Sequence, residues 1–199
     1  MKSVAASLED YFDALVHPSA RANPLMAARH RAFIGSRLAG GACALAALPV
    51  FLVATGLPGP IEALIFAWLL APIGIAVMLS RTGDFERAHL LSALTVAGLV
   101  GAVGGATGGL ESFALPWLLI VPLEAAFSGS RRIVGWAATF AAVAFLFCVA
   151  SSFGLAPAGT AARLAELKVA SFLAALTYCA ALGVGATRIV VAGDRKSVV

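Results

Sequence analysis

Three residues in this chain place ionisable chemistry where it is costly. Glu124 lies inside the apolar stretch TGGLESFALPWLLIVPLEAAFSGSRR, Thr107 to Arg132, while His89 opens one neighbouring apolar run and Arg188 comes near the end of another. A charged side chain in hydrocarbon is expensive, and by default it marks a pairing or functional site. A carboxylate facing an imidazole or a guanidinium can share a proton or form a buried ion pair. Glu124 is about six residues, roughly 9 Å along a helix, above the inner end of its run. His89 and Arg188 are expected at a similar depth, in the cytoplasmic third of a helix bundle. The sequence therefore predicts that Glu124 pairs with His89 or Arg188; the plainer alternative is a protonated Glu124 bonded to a nearby carbonyl.

The same stretch carries Pro116 and Pro122, each of which removes a helical hydrogen bond, so the helix around them is expected to kink. Trp117 lies where an indole commonly anchors at the outer interface. In the preceding run, Gly98, Gly101, Gly104 and Gly105 are small, and the Gly101-xxx-Gly105 pair would let another helix approach closely. Glu62, near the outer start of the second run, can reach the interface and reads as structural.

No catalytic constellation accompanies these residues. The chain has no HExxH, no phosphate-cradling GxxxxGK[ST] and no CxxC pair, and His17, His30 and His89 lack metal-ligand spacing. Cys43, Cys148 and Cys179 all fall inside apolar runs and read as packing residues. No catalytic residue, cofactor or metal site is expected.

The elements that must position Glu124 follow from composition. Of the 199 residues, 61% are hydrophobic and 12% charged, against about 25% charged in ordinary soluble domains. A membrane span needs roughly 20 mostly apolar residues. Such runs occur at about 33–55, 61–80, 88–106, 110–127, 133–153 and 164–191. Backbone amides in lipid must be satisfied within the segment, so the runs are read as helices, and the period-two alternation of a membrane barrel is absent. The first run follows some thirty polar and mixed residues and is too long for the core of a cleavable signal peptide. The expected fold is all-α: a polytopic six-transmembrane-helix bundle, with residues 1–32 as a cytoplasmic N-terminal segment and 192–199 as a cytoplasmic tail.

Charge supplies the orientation. With a cytoplasmic N-terminus, the inner side collects Lys2, Arg21, Arg29, Arg31, Arg37, Arg81, Arg87, Arg131, Arg132, Arg188, Arg195 and Lys196, twelve of the 14 basic residues. Only Arg163 and Lys168 stay outside. That asymmetry is the positive-inside pattern, and it puts both termini in the cytoplasm of a cell whose inner membrane this protein crosses. The basic stretch Arg21–Arg37 is topogenic and lipid-facing, with no nucleic-acid partner implied. Outer loops are short apart from Gly154–Arg163, so whatever is sensed or moved is met within the bilayer or in shallow outer mouths. Within residues 4–16, Val4, Leu8, Tyr11, Phe12 and Leu15 keep helical spacing with Glu9, Asp10 and Asp13 off the stripe, which predicts a short amphipathic helix. Its acidic face disfavours anionic lipid; it packs on the inner ends of the bundle or docks a partner.

Three stretches resemble a known family. DYFDALVHPSARANPLMAARHRAFIGSRL, FAWLLAPIGIAVMLSRTGDFERAHLLSAL and TGGLESFALPWLLIVPLEAAFSGSRR are similar to the N-terminal membrane region of alphaproteobacterial cell-cycle sensor histidine kinases of the DivJ type. The likeness is clearest from about Asp10 to Arg132 and fades through the last two runs. The element TGG…S…W…P-L-E-A recurs in other multi-span bacterial sensor kinases. The resemblance implies a membrane-embedded sensor module of a two-component signal-transduction system that works as a homodimer. In that family a dimerisation domain with a phospho-accepting histidine and an ATP-binding domain follow and phosphorylate a response regulator. Those domains have no counterpart in these residues, so the chain is expected to be an input half or a stand-alone membrane unit, and no kinase activity is carried over. From the residues alone, a small transporter or channel lined by Glu124, His89 and Arg188, or an architectural membrane protein recruiting a partner, stay open beside the sensor.

Overall fold

A computed structural model of the protein describes residues 11–153, 168–182 and 184. Of the structure, 86% is helix, and no strand occurs among the described residues. Four helical stretches are long and apolar enough to cross a membrane: Pro24–Val50, Glu62–Thr82, Phe85–Ala106 and Arg131–Ser152. Two shorter apolar helices, Trp117–Ser128 and Lys168–Leu182, accompany them. The chain is a helical membrane protein by this measure. It divides into two compact units, one holding the described residues up to Ala88, the other running from His89 to Val184.

In the first unit the long helix α1 (Pro24–Thr55) starts well before the apolar run at 33, because Asn23 and Pro24 form a strong start signal. The Asn23 side chain accepts from the amides of Leu25 and Met26 at 3.0 and 3.3 Å, and proline at the first position loses no bond it would have made. Ahead of it, residues 11–15 are helical and a single turn spans Pro18–Arg21. Arg21 donates to the carbonyls of Val16 and Ala14 at 3.0 and 3.2 Å, closing the link between these pieces. Phe12 and Leu15 pack on the core of this unit, as the stripe predicts, whereas Tyr11 on the same stripe is exposed; Val4 and Leu8 lie outside the described residues.

The second apolar run forms two helices, α2 (Pro60–Leu69) and α3 (Ala71–Thr82), meeting at Leu70. Pro72 has no amide to carry the ladder across this point, so the backbone tightens there, with Leu70 N–H bonded to Ala67 and Ile73 N–H to Leu70. Glu62 reaches back to accept from the Gly59 amide at 2.5 Å, which gives that carboxylate a capping role at the head of α2. The core is Phe33, Ile34, Ile75, Ala76, Leu79, Phe85 and Ala88. The His30 ring stacks on Phe85 at 5.0 Å, and the Arg37 guanidinium lies over Phe33 at 4.8 Å.

The helix α4 (Phe85–Ala106) has its first turn in the first unit and continues through the second. There it packs with α5 (Trp117–Ala125) and α6 (Arg131–Ser152). Their shared core repeats at three- and four-residue intervals: Ala93, Ala97 and Val100; Leu118, Val121 and Ala125; Ile133, Ala137, Ala141 and Ala144. Alanine dominates because helices in lipid associate through close packing. The rest of each helix is turned outward; Leu119 is 77% exposed and Leu146 63%. Contiguous apolar exposure on this scale is what a lipid-facing surface looks like.

Candidate functional site: a polar seam in the second unit

The fourth apolar run, 110–127, is not one continuous helix. It begins as a 3₁₀ turn at Gly109–Glu111, passes through an extended Ser112 and a turn at 113–116, and becomes helical only at Trp117. The helix α5 is 9 residues long, roughly 13 Å, and then tightens into the 3₁₀ turn Ala126–Ser128. Glycine and proline cause this. Gly108 and Gly109 take φ of 97° and 62°, which other residues rarely adopt. Pro116 sits at the N-cap of α5 amid 3₁₀-type bonds from Trp117 to Ala114 and from Leu118 to Leu115, and Pro122 lies inside the helix.

Backbone that leaves the helix needs hydrogen-bond partners elsewhere. Here the short polar residues of the TGGLES element supply them. The Thr107 hydroxyl donates to the Val103 carbonyl at 2.7 Å and is 2.6 Å from the Ser112 hydroxyl. The Ala114 amide donates to Ser112 Oγ at 3.1 Å. The Leu110 amide donates to Ser152 Oγ at 2.8 Å, and that hydroxyl donates to the Cys148 carbonyl at 3.0 Å. Gly109 lies so close to α6 that a Cβ would overlap the Cys148 carbonyl and the Ser152 amide.

The same stretch meets α7 (Lys168–Leu182) through a ladder of polar contacts. Lys168 pairs with Glu111. Ser171 Oγ donates to the Phe113 carbonyl at 2.6 Å and accepts from Trp117 Nε1 at 3.0 Å. The Tyr178 hydroxyl donates to Glu124 Oε1 at 2.5 Å, and its ring lies 6.0 Å from that of Trp117. Partners rise together in number, so α5 and α7 run parallel. On α7 the residues at these contacts, with buried Ala175 between, recur at 168, 171, 175 and 178, one helix face. The other faces are apolar and open: Val169, Phe172, Leu173 and Leu176 are each more than half exposed. The helix therefore turns its polar stripe inward and its apolar surface outward, the arrangement a bilayer favours.

Glu124 is 8% exposed. The structure gives it a phenol as a donor, which the sequence reading did not single out; the signal was the spacing of Lys168, Ser171 and Tyr178 on an otherwise apolar helix. His89 is buried in α4, and Arg188 lies outside the described residues. Trp117 is half-buried and points its indole N–H into the seam, besides any anchoring role. Of the glycines, Gly101 leaves ordinary room beside Ala144, with a built Cβ at 3.5 Å. Gly105 faces the flexible ring of Phe147, and Gly104 presses on Cys148 Sγ. The tightest approaches of α4 and its following turn to α6 are therefore at Gly104 and Gly109. An apolar groove of about 420 Å³ opens between α4 and α6, lined by Leu94, Gly98, Gly101, Phe140, Val143 and Phe147.

The Glu111 carboxyl is held below the ordinary carboxylate range, first by the hydrogen bond from Lys168 and then by its positive charge. No group of three His, Cys, Asp or Glu side chains among the described residues is placed to hold a metal ion. The seam offers one buried acid, one phenol, an indole and the hydrogen-bonded hydroxyls of Thr107, Ser112, Ser152 and Ser171. These groups join α7 to the 110–125 stretch and leave the Glu124 carboxyl buried between helices.

Comparison with known proteins finds no matching family model, curated protein or solved structure.

Proposed function

We propose that this protein is the membrane-embedded input module of a two-component sensor histidine kinase. It sits in a bacterial inner membrane with six crossings and both termini in the cytoplasm. The basic residues support that topology, and the four long and two shorter apolar helices supply enough segments for it. The observation that carries the functional reading is the seam. The TGG…S…W…P-L-E-A element, which bears the resemblance to sensor kinases, spends its polar groups on the last described helix through Lys168, Ser171 and Tyr178. A change at the outer turn or at Glu124 thus acts directly on that helix. The module works as a parallel homodimer with the C-terminal helices near the two-fold axis, and a response regulator is reached only through kinase domains that these residues do not include.

The test is a chimera of residues 1–199 fused in frame to a kinase core whose autophosphorylation can be read in native membranes. Glu124→Leu and Glu111→Gln are expected to change its autophosphorylation at equal expression. Unchanged autophosphorylation in both removes the sensor reading. Disulfide crosslinking from single cysteines at Ile189 or Val190 should trap dimers; monomer alone would count against the dimeric arrangement. The buried acid favours one second reading, a small transporter using Glu124. That reading requires a pH- or substrate-driven flux in liposomes that Glu124→Gln abolishes.

A further inference from the structure

The helix α7 is held on its neighbours in an unusual way. One face carries Lys168, Ser171, Ala175 and Tyr178 against the α5 segment, and the large apolar residues Val169, Phe172, Leu173 and Leu176 point outward. Lipid tails are as apolar as these side chains, so burying them elsewhere gains nothing, and the polar contacts decide where the helix sits along α5. Those contacts are not equal. The Lys168–Glu111 pair lies in the open, with the glutamate side chain 80% exposed, where water and salt compete for both charges. Tyr178 and Glu124 meet at the other end of the seam, and Glu124 is buried.

We propose that the Tyr178–Glu124 hydrogen bond is a register latch: it fixes α7 at one position along α5, and its loss frees the helix to shift. The sequence of α7 supports a unique position. A shift of one turn in either direction brings Ala174 or Ala175, or Ala181 or Leu182, to the place of Tyr178, and none of these donates a hydrogen bond. Helix shifts of about one turn are a recurrent way for an interface to have two discrete arrangements. Tyr178 is then a positioning residue, acting through where it holds α7. The consequence for signalling rests on the sensor reading above; the latch does not.

The experiment uses the full chain in lipid nanodiscs, with native cysteines replaced and spin labels at positions 136 and 169. Trp136 and Val169 are both exposed, on α6 and α7, and clear of the seam. The wild-type background should give one narrow distance distribution. Tyr178→Phe keeps the ring and deletes the donated proton; it should broaden the distribution or displace it by up to about 5 Å, one helical turn. Glu124→Gln retains an acceptor oxygen and should preserve the narrow distribution, whereas Glu124→Leu should reproduce Tyr178→Phe. An unchanged distribution in Tyr178→Phe overturns the latch, as does a displacement in Glu124→Gln equal to that in Glu124→Leu. If Tyr178→Phe does not fold, the Gln and Leu variants at 124 carry the same test. The kinase chimera separates the two ideas: displaced labels with unaltered phosphorylation leave the latch standing and remove the sensor.

Discussion

At Glu124 an ionisable group in an apolar segment accepts a hydrogen bond from a phenolic hydroxyl at 2.5 Å. Polar contacts between helices in a bilayer contribute about 0.6 kcal/mol on average and up to about 1.7. Such a contact is strong enough to choose between registers and too weak to be the main source of stability. Tyr178→Phe should therefore lower the stability of the folded protein by about 1 kcal/mol while leaving it folded, measured by unfolding in mixed micelles. The outer pair behaves differently. Lys168 lowers the pKa of Glu111 in the folded state, so the pair's contribution is fully present above the ordinary value of 4.5 and is lost as pH falls through the lower folded value. The stability difference between wild type and Glu111→Gln should be constant at neutral pH and shrink toward zero below that value. An equal difference at all pH values would mean that the charge of Glu111 is not what matters.

At the level of elements, proline and glycine decide where apolar runs stop being helices. Pro72 divides the second run into α2 and α3, and Gly108, Gly109 and Pro116 convert half of the fourth into a packed turn. The turn is viable because Thr107, Ser112 and Ser152 satisfy backbone groups that lipid cannot. Gly109 combines a positive φ with close approach to α6, so Gly109→Ala should cost about 1–2 kcal/mol from backbone strain alone, and more from overlap with the Cys148 carbonyl. Gly101→Ala should be nearly neutral, since its Cβ would make ordinary contact with Ala144. Thermal melts of the two variants in the same detergent check the contrast; equal losses would contradict the packing described.

For the whole molecule, sidedness is the property that charge predicts. Single cysteines at Leu57 and Leu110 should react with an impermeant maleimide from the periplasmic side of intact cells. Those at Gly83 and Gly129 should react only after the inner membrane is opened. Labelling of Gly129 from outside would break the six-crossing topology, and it would move Glu124 to the opposite end of its segment relative to the cytoplasm.

The sequence by itself determined that this is a helical membrane protein, roughly where its apolar segments lie, and that Glu124 needs a partner. These follow from local quantities: hydropathy summed over about 20 residues, and the price of a carboxylate in hydrocarbon. The N-terminal stripe through Phe12 and Leu15 was legible for the same reason, since its period is set within a few turns. Tertiary structure alone brought Tyr178 to Glu124. That contact, between residues 54 positions apart, depends on α7 lying parallel to α5, and nothing local encodes it. Tertiary structure also distinguished glycines identical in sequence. Gly101 is helical and Gly109 takes a φ of 62°, and α6 places different groups opposite them, Ala144 in one case and the backbone of Cys148 and Ser152 in the other.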